Sequence, residues 1–564
     1  MAGFYLWHNS VKCDPDKVMT QFESLDYGKG KFIHYGDWNI IICPKKNFSI
    51  DNWKIFPDGI ICAVGTFSYK SSFYDSALDT IFHDVKHNCI RSTEFWGTFI
   101  IIVLTSNGNY LIRDGAGLTR LYRHREGLIY SSSFAGLISC SDKYFSFDRD
   151  AATELLTTGV LTGVQTLLRE VNRIITGEVI DGFQKIETYP ENLPEPLNRN
   201  KALDQQLYVT GKYFKRIITG WFNYMPDGII DIGITSGMDS RLLAAMVMNH
   251  TQKITLHTHW RKEGMKNVDF RCADIFARET GLTLNTREVR TPFEMDEQDI
   301  QTNFERAYCM SDGVIRPGCY WDEEYSTASY RAGLSATPYL RLLGFGGEQY
   351  RNRERLPLNS NRNLKSWIKW EMLYQFAGGY LISKEAEENI INRIELNLKS
   401  QFNDSINYLN LNNYKKYIRL IQSPSYRSLQ STMENRLGFC LSPFLDINLS
   451  DPAFLAILFL GRSLSFQLEM LNRISPVIAS LPNGYGFNFS SGEPACLRAG
   501  AVFWQNMPAC LKYPLYARLK NYYRTDYIEQ LAGKHKFIRD LEKIVADLSL
   551  PIDLRKHRLV RSRA

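Results

Sequence analysis

The chain has 564 residues, of which 44% are hydrophobic and 23% charged, and its formal net charge is +7. This length exceeds what one hydrophobic core usually supports, so it predicts two or three folded domains. A net charge of +7 over this length does not indicate a nucleic-acid-binding protein. The eleven cysteines form no Cys-x-x-Cys pair, and neither a secretory leader nor a membrane-spanning apolar run is found. These features predict a reduced, cytoplasmic protein without a membrane partner.

Residues 1 to about 185 contain short apolar or alternating runs typical of β-strands. Examples are Trp38–Cys43, Gly59–Val64 and Thr98–Leu104, and the turn at Asn107–Gly108 predicts a hairpin. The stretch Ser76–Val85 has a helical period instead. This half of the chain is therefore predicted to be a layered α+β domain built on antiparallel sheet.

The proline-rich polar segment Tyr189–Asn200 predicts a linker between two domains, residues 1–188 and 201–564. Strands and helices alternate beyond it, which favours a parallel sheet. The predicted elements are a helix at Ala202–Thr219, a strand after Gly228, a helix from Ser240, a strand at Lys253–His259 and a helix at Val268–Thr280 that Gly281 ends. From about Ser366 onward the chain is predicted to be mostly helical.

The segment Gly228–Arg241 (GIIDIGITSGMDSR) joins an apolar run to a small-residue loop and the start of a helix. Free backbone N–H groups at the carboxyl end of a strand, together with a helix N-terminus, bind polyphosphates well. Asp239 follows this loop, where it could hold the Mg²⁺ that accompanies a nucleotide. A purely structural interpretation stays open, because small residues often join a strand to a helix.

A second glycine-rich loop occupies Leu343–Arg351 (LGFGGEQYR). In a parallel sheet the two loops can meet at the carboxyl edge, where Asp239 and Glu348 would share one or two Mg²⁺ ions. A plain surface turn with a solvated Glu348 is the alternative. The glycines that would let the backbone approach a nucleotide closely are Gly344, Gly346 and Gly347.

With both loops in place, the chain resembles the asparagine-synthetase family, which includes β-lactam synthetases and lasso-peptide cyclases. The first loop is similar to the SGGxDS loop of ATP pyrophosphatases, with Thr235 and Ser236 at its first Ser and first Gly. The second is similar to the family's G-x-G-[GS]-[DE] loop. Glu434–Asp446 (ENRLGFCLSPFLD) is similar to the E-x-R…PFLD element, with a longer spacing after Arg436.

The N-terminal half resembles the glutaminase domain of the same family. The similar segments are Trp96–Phe99, Arg113–Tyr122, Tyr130–Phe134 and Glu154–Gly177. The resemblance, from about residue 1 to 490, implies an Ntn-hydrolase-like domain of layered antiparallel sheet. It also implies a C-terminal adenine-nucleotide α-hydrolase-like domain (the ATP pyrophosphatase fold), with a parallel sheet and a helical extension.

The resemblance implies ATP and Mg²⁺ as cofactors, with Asp239 and Glu348 as catalytic metal ligands. Arg241 is expected to reach a phosphate or the substrate carboxylate, with a surface ion pair as the alternative. The residues expected to hold ATP are Thr235, Ser236, Gly237, Asp239, Ser240, Leu256, Gly344, Gly346 and Gly347. Ile232 and His257 are further candidates for the adenine slot, although a core role suits His257 equally. Asp269 is expected to be a helix N-cap, with a nucleotide role as the alternative.

Several positions depart from the family's pattern. Glutaminases of this family use a cysteine directly after the initiator Met, and Ala2 cannot attack a carboxamide, so no glutaminase activity is expected. Phe345 stands where β-lactam synthetases have a catalytic Tyr, which leaves the general base unidentified. An α-amine needs little help near neutral pH, and this favours a peptide N-terminus as nucleophile.

Two sets of basic residues complete the candidates. The family's late Lys has no secure match, and Lys512 and Lys520 are candidates only. The run Arg351, Arg353 and Arg355 would form a solvated charged face, with neutralising pyrophosphate or holding an acidic substrate as the alternatives.

These expectations combine into an AMP-forming amide ligase. The favoured hypothesis is a lasso-peptide macrolactam synthetase of antibiotic biosynthesis, served by a leader peptidase or a leader-binding protein. Its alternatives are a ligase for a sugar acid or another small carboxylate, and a catalytically inactive scaffold. A tRNA-modifying ATP pyrophosphatase is disfavoured, because such enzymes lack the glutaminase-like domain. Neither nucleic acid nor membrane is an expected partner.

Overall fold

Antiparallel and parallel β-sheets combine with helices in this chain, which confirms the prediction of a mixed α/β protein. The computed structural model describes residues 3–48, 50–125, 128–140, 144–175, 180, 182–187, 195, 197–261, 265–313, 337–350, 362–374, 379, 382–402, 406–460, 464–512, 514–515, 527–548 and 550–551. Within those ranges, no helix has both the length and the apolar character needed to cross a membrane.

Two six-stranded sheets form the N-terminal part, and their neighbouring strands are antiparallel except for one parallel pair. The first sheet contains β1 (Gly3–His8), β2 (Lys31–Tyr35), β3 (Trp38–Cys43), β9 (Tyr122–His124), β10 (Ile129–Ser131) and β11 (Val171–Arg173). The second contains β4 (Trp53–Phe56), β5 (Gly59–Tyr69), β6 (Ser72–Phe73), β7 (Phe95–Thr105), β8 (Gly108–Arg113) and β12 (Gln184–Glu187).

Strand alternation explains why these sheets form layers. In β3, Ile40 and Ile42 pack in the core between the two sheets, whereas Ile41 and Cys43 belong to a cluster on the opposite face. Successive side chains of a strand point to opposite faces, so an unbroken apolar run such as β3 has both faces covered. The helices on the outer faces are α1 (Pro15–Ser24) and α3 (Phe134–Cys140) on the first sheet and α2 (Leu78–Lys86) on the second.

A five-stranded parallel sheet forms the centre of the C-terminal part. Its strands are β13 (Ile229–Gly233), β14 (Ile254–Trp260), β15 (Thr283–Glu288), β16 (Tyr339–Leu342) and β19 (Phe439–Leu441), and they lie in the order β15-β14-β13-β16-β19. Every neighbouring pair is parallel. The strand order reverses between β13 and β16, and ligands of open α/β sheets bind in the crevice at such a switch point.

Most of the remaining described elements are α-helices. They are α4 (Arg149–Thr158), α5 (Arg199–Tyr224), α6 (Met238–Met248), α7 (Met265–Thr280), α8 (Glu297–Ser311), α9 (Leu364–Trp367), α10 (Lys384–Gln401), α11 (Leu411–Tyr417), α12 (Ser428–Leu437), α13 (Ile447–Leu460), α14 (Ser465–Ile474), α15 (Pro476–Ser480), α16 (Ala495–Asn506), α17 (Tyr527–Lys534) and α18 (Lys536–Asp547). A small antiparallel pair joins β17 (Arg362–Asn363) to β18 (Tyr408–Leu409).

Most predicted elements are confirmed to within a few residues. The predicted hairpin joins β7 to β8, with Thr105 paired to Gly108. The helix predicted at Ala202–Thr219 is longer in the structure and corresponds to α5. Gly281 follows the last residue of α7 with a φ of +69°, the left-handed conformation in which glycine commonly ends a helix.

The two predicted domains share a continuous hydrophobic core. One cluster runs from the second N-terminal sheet into the parallel sheet, and the ring of Tyr74 lies 4.8 Å from that of Phe439 between centroids. Of the predicted linker, residues 189–194 and 196 lie outside the described ranges. The N-terminal domain is thus packed directly against the sheet that carries the candidate site.

A buried lysine links the two domains. Lys45, between β3 and β4, donates from Nζ to the Gly438 carbonyl at 2.8 Å and to the Asn435 carbonyl and Oδ1, each at 3.1 Å. Only 2% of Lys45 is exposed, and burial lowers the pKa of its ammonium group to about 7.

Lys45→Met is expected to change how stability depends on pH. The lowered pKa means that the unfolded wild type binds more protons than the folded form between about pH 7 and the ordinary lysine value of about 10.4. The contribution of Lys45 to the free energy of unfolding of the wild type therefore rises with pH. Compared with wild type, the variant should become less stable by about 1–2 kcal/mol as the pH is raised from 7 to 9. Chemical denaturation at both pH values measures this. The neighbouring exposed Lys46, replaced by Met, is the control, and a parallel response of both variants would contradict the prediction.

Candidate nucleotide site

The first glycine-rich loop folds back onto the start of α6. The backbone N–H of Thr235 donates to Ser240 Oγ at 3.2 Å, and that of Gly237 donates to Thr235 Oγ1 at 3.1 Å. Gly237 is the N-cap of α6 and contributes no capping side chain, while Asp239 lies in the first turn. The helix N-terminus and its partial positive charge thus lie at the carboxyl end of β13, an arrangement suited to an anion.

The second loop lies directly against the first. A Cβ atom at Gly344 would lie 3.1 Å from the backbone nitrogen of Ser240, and one at Gly347 would overlap the carboxyl group of Asp239. Gly346 has a φ of +93°, and a Cβ there would overlap Leu445 of the PFLD element. The sequence prediction that the two loops meet at one sheet edge agrees with this geometry, and glycine is required where the second loop approaches its neighbours so closely.

Gln467 connects the two loops and was missed by the sequence reasoning. It lies on α14, is fully buried, and donates from Nε2 to Asp239 Oδ1 at 2.6 Å and to the Gly347 carbonyl at 3.0 Å. The only sequence signal is a polar residue between Phe466 and Leu468 in an otherwise apolar helix face.

Asp269 supports the first loop from α7. Its Oδ1 accepts hydrogen bonds from the Ser236 backbone N–H at 2.9 Å and from Ser236 Oγ at 2.5 Å. The expectation of an N-cap is wrong, because α7 begins at Met265 and places Asp269 inside the helix. The Ser236 side chain is therefore accommodated by a hydrogen bond, and the φ of this residue is not positive.

If the first loop holds ATP, as the sequence resemblance implies, Ser236→Ala is expected to weaken ATP binding modestly. The substitution removes the hydroxyl bond to Asp269 and keeps the backbone one, a loss of about 1 kcal/mol, or roughly fivefold in the KM for ATP. ATP–pyrophosphate exchange measures the KM. Ser490→Ala, at an exposed turn, is the control, and an unchanged KM in Ser236→Ala would show that the hydroxyl is dispensable.

Arg241 is bonded to a neighbouring segment of the chain. Its guanidinium group is fully buried and donates to the carbonyls of Leu481, at 3.2 Å, and Pro482. Gly484 in turn donates its backbone N–H to the Ser236 carbonyl at 3.3 Å. Arg241 thus holds residues 481–484 against the first loop, and the surface ion pair considered as an alternative is excluded by its burial.

The residues expected in the adenine slot lie in the sheet interior. Ile232 and Leu256 are fully buried members of the main core cluster. His257 is bonded through Nδ1 to Asp231 Oδ1 at 2.9 Å, which fits the core interpretation of this histidine. Its ring lies beside Gly233, where a Cβ would lie 3.1 Å from Nε2.

Charged groups are buried beneath the site at the centre of the sheet. Arg341 on β16 forms ion pairs with Asp231 on β13 at 2.5 Å and with Glu434 on α12 at 3.3 Å. All three side chains are almost completely buried. Burial by itself would raise the pKa of Asp231, but the interactions with His257 and Arg341 outweigh it and hold that pKa below its ordinary range.

Only some of the other residues predicted from the sequence lie in the described part of the structure. The backbone of Glu348 lies in the turn Gly347–Tyr350, but its side chain is outside the described part of the structure. Phe345 is 39% exposed, and Lys512 is half-buried. The candidates that lie outside the described ranges are Ala2, Arg351, Arg353, Arg355 and Lys520.

Comparisons with known proteins add little to this geometry. No family model matches the chain, and no curated protein matches it. Among solved structures, it is similar to the U34-tRNA thiolase NcsA from Methanococcus maripaludis with its 4Fe-4S cluster. The two share 10% identity over 51% of this chain and 80% of that chain, with a TM-score of 0.20. A likeness of this degree carries no argument about function.

Proposed function

We propose that this protein is an ATP-dependent, AMP-forming amide ligase of the asparagine-synthetase type. The observation that carries the proposal is the meeting of two glycine-rich loops at the switch point of the parallel sheet, with Gly347 against the carboxyl group of Asp239. Glycine backbone, a helix N-terminus and a carboxylate then converge where a nucleotide binds in folds of this kind.

The residues present fit a Mg²⁺ ion that accompanies ATP. Asp239 offers a carboxylate that lies directly against Gly347, where there is no room for a Cβ, and the sequence adds Glu348 next to that glycine. Mg²⁺ prefers such oxygen ligands and usually also binds substrate phosphates. When bound, Mg²⁺ supplies positive charge that offsets the charge of the phosphates.

Two steps make up the proposed reaction. A carboxylate oxygen of the substrate attacks the α-phosphorus of ATP, the bond to the bridging oxygen breaks, and pyrophosphate leaves as an acyl-adenylate forms. An amine then attacks the acyl carbon, AMP leaves with the electron pair of the C–O bond, and the amine nitrogen loses a proton. The first loop, from Thr235 to Ser240, would hold the pyrophosphate, and positioning of the reactants supplies much of the rate.

The substrate we favour is a peptide, closed into a macrolactam between an Asp or Glu side chain and its own N-terminal amine. This rests on the resemblance to lasso-peptide cyclases and on Ala2, which provides no nucleophile for releasing ammonia from glutamine. Asp446 of the PFLD element accepts a hydrogen bond from the Gly97 N–H of β7 at 2.7 Å. The N-terminal domain would then serve to hold this element beneath Gly346.

The test is to incubate the protein with Mg·ATP and analyse nucleotides by chromatography and products by mass. Linear peptides with an internal Asp or Glu are supplied first, then sugar acids with ammonia or glutamine. AMP together with a peptide lighter by one water supports macrolactam synthesis. AMP only with small acids replaces the peptide by a metabolite as substrate. Mg·ATP binding without AMP formation from any mixture contradicts a ligase and favours a scaffold.

A further inference from the structure

The amide of Gln467 bridges two points that the proposed site must keep together. Its Nε2 donates to Asp239 Oδ1 on the first loop and to the carbonyl of Gly347 on the second. A primary amide carries two N–H hydrogens, so one nitrogen can satisfy both acceptors at once. The contact therefore fixes the spacing between the candidate metal ligand and the loop that faces it.

The chemistry of an amide suits this position better than that of a charged donor. Lys or Arg at residue 467 would bring a positive charge next to Asp239 and compete with a metal cation for the carboxylate. Gln467 is neutral, and it orients one oxygen without neutralising the carboxylate. It is also fully buried on α14, between Phe466 and Leu468, so its own side chain is held firmly.

We propose that Gln467 is a positioning residue that sets the metal affinity of the nucleotide site; the inference rests on the function proposed above. Partners that orient metal ligands typically change metal affinity by 10–100-fold when they are removed. Gln467 holds Asp239 toward Gly347, so that the carboxylate is in place before Mg·ATP arrives.

The experiment measures metal binding directly. Mn²⁺ is titrated into the full-length protein in the presence of ATP, free Mn²⁺ is followed by electron paramagnetic resonance, and the binding by the same concentration of ATP without protein is subtracted. Gln467→Leu is expected to raise the Mn²⁺ dissociation constant by about tenfold. Binding of ATP without metal should stay unchanged. Gln467→Met, which keeps the unbranched shape, is the second variant in case Leu disturbs folding.

Asn397→Leu is the matched control. Asn397 lies on α10, is also a buried amide, and donates from Nδ2 to Thr162 Oγ1 at 3.1 Å. Its loss should lower thermal stability by a similar amount without moving the Mn²⁺ dissociation constant. This control separates a role in metal binding from a general loss of packing.

The outcomes discriminate between the two proposals. Weaker Mn²⁺ binding in the Gln467 variants, with the control unchanged, supports the inference. Unchanged binding in those variants, or an equal loss in Asn397→Leu, overturns the positioning role and leaves the ligase intact. A wild-type protein that binds no Mn·ATP overturns both, because the nucleotide site itself is then absent.

Discussion

Asp239→Asn is expected to reduce AMP formation on the order of 10³-fold or more, because it removes the negative charge at the meeting point of the two loops. The substituted amide matches the carboxylate in shape and keeps an oxygen that can accept from Gln467 Nε2. Packing against Gly347 should therefore survive, and the melting temperature should stay close to that of wild type. Steady-state release of AMP and pyrophosphate measures the loss.

Asp274→Asn provides the control for this prediction. Asp274 lies on the exposed side of α7, where it pairs with Arg278, and its loss should leave AMP formation unchanged. If Asp239→Asn retained full activity, the chemistry would have to occur elsewhere in the molecule. If the wild type bound ATP without turnover and Asp239→Asn kept its cellular function, a scaffold would be the better explanation.

Local patterns explain why much of the fold could be predicted from the sequence. The run of β3, the hairpin at Asn107–Gly108 and the glycine after α7 are each specified by neighbouring residues. The first loop was recognisable for the same reason, because its strand, small residues and helix start follow one another along the chain.

The supporting contacts of the site could not be predicted in this way. Gln467 is 228 residues from Asp239 along the chain, and Ser236 is 33 from Asp269. Such partners are set by the packing of α14 and α7 against the sheet edge. The misplaced cap at Asp269 has a related cause, because helix boundaries are the least certain part of any sequence interpretation.

The buried charges at the centre of the parallel sheet carry an energetic cost of desolvation that the sequence alone does not show. Arg341 is not among the residues that the sequence analysis singles out, yet it lies between Asp231 and Glu434 with 1% of its side chain exposed. Removing one member of a buried ionic group leaves the others without compensation, which costs more than the net worth of the group.

Arg341→Met is therefore expected to destabilise the fold by about 3–5 kcal/mol at neutral pH. The pKa of Asp231 is held below its ordinary range in the wild type, so this carboxylate contributes stability above about pH 4 and loses it as the pH falls through the folded value. Without Arg341 the pKa of Asp231 should rise, so this carboxylate is protonated at a higher pH in the variant than in wild type. Protonation removes the unpaired buried charge and so relieves part of the destabilisation. The difference in free energy of unfolding between variant and wild type should then shrink from pH 7 to pH 4, as measured by denaturant titration. Arg278→Met, at an exposed pair on α7, should show only a small change at either pH, and a constant difference for Arg341→Met would refute this electrostatic account.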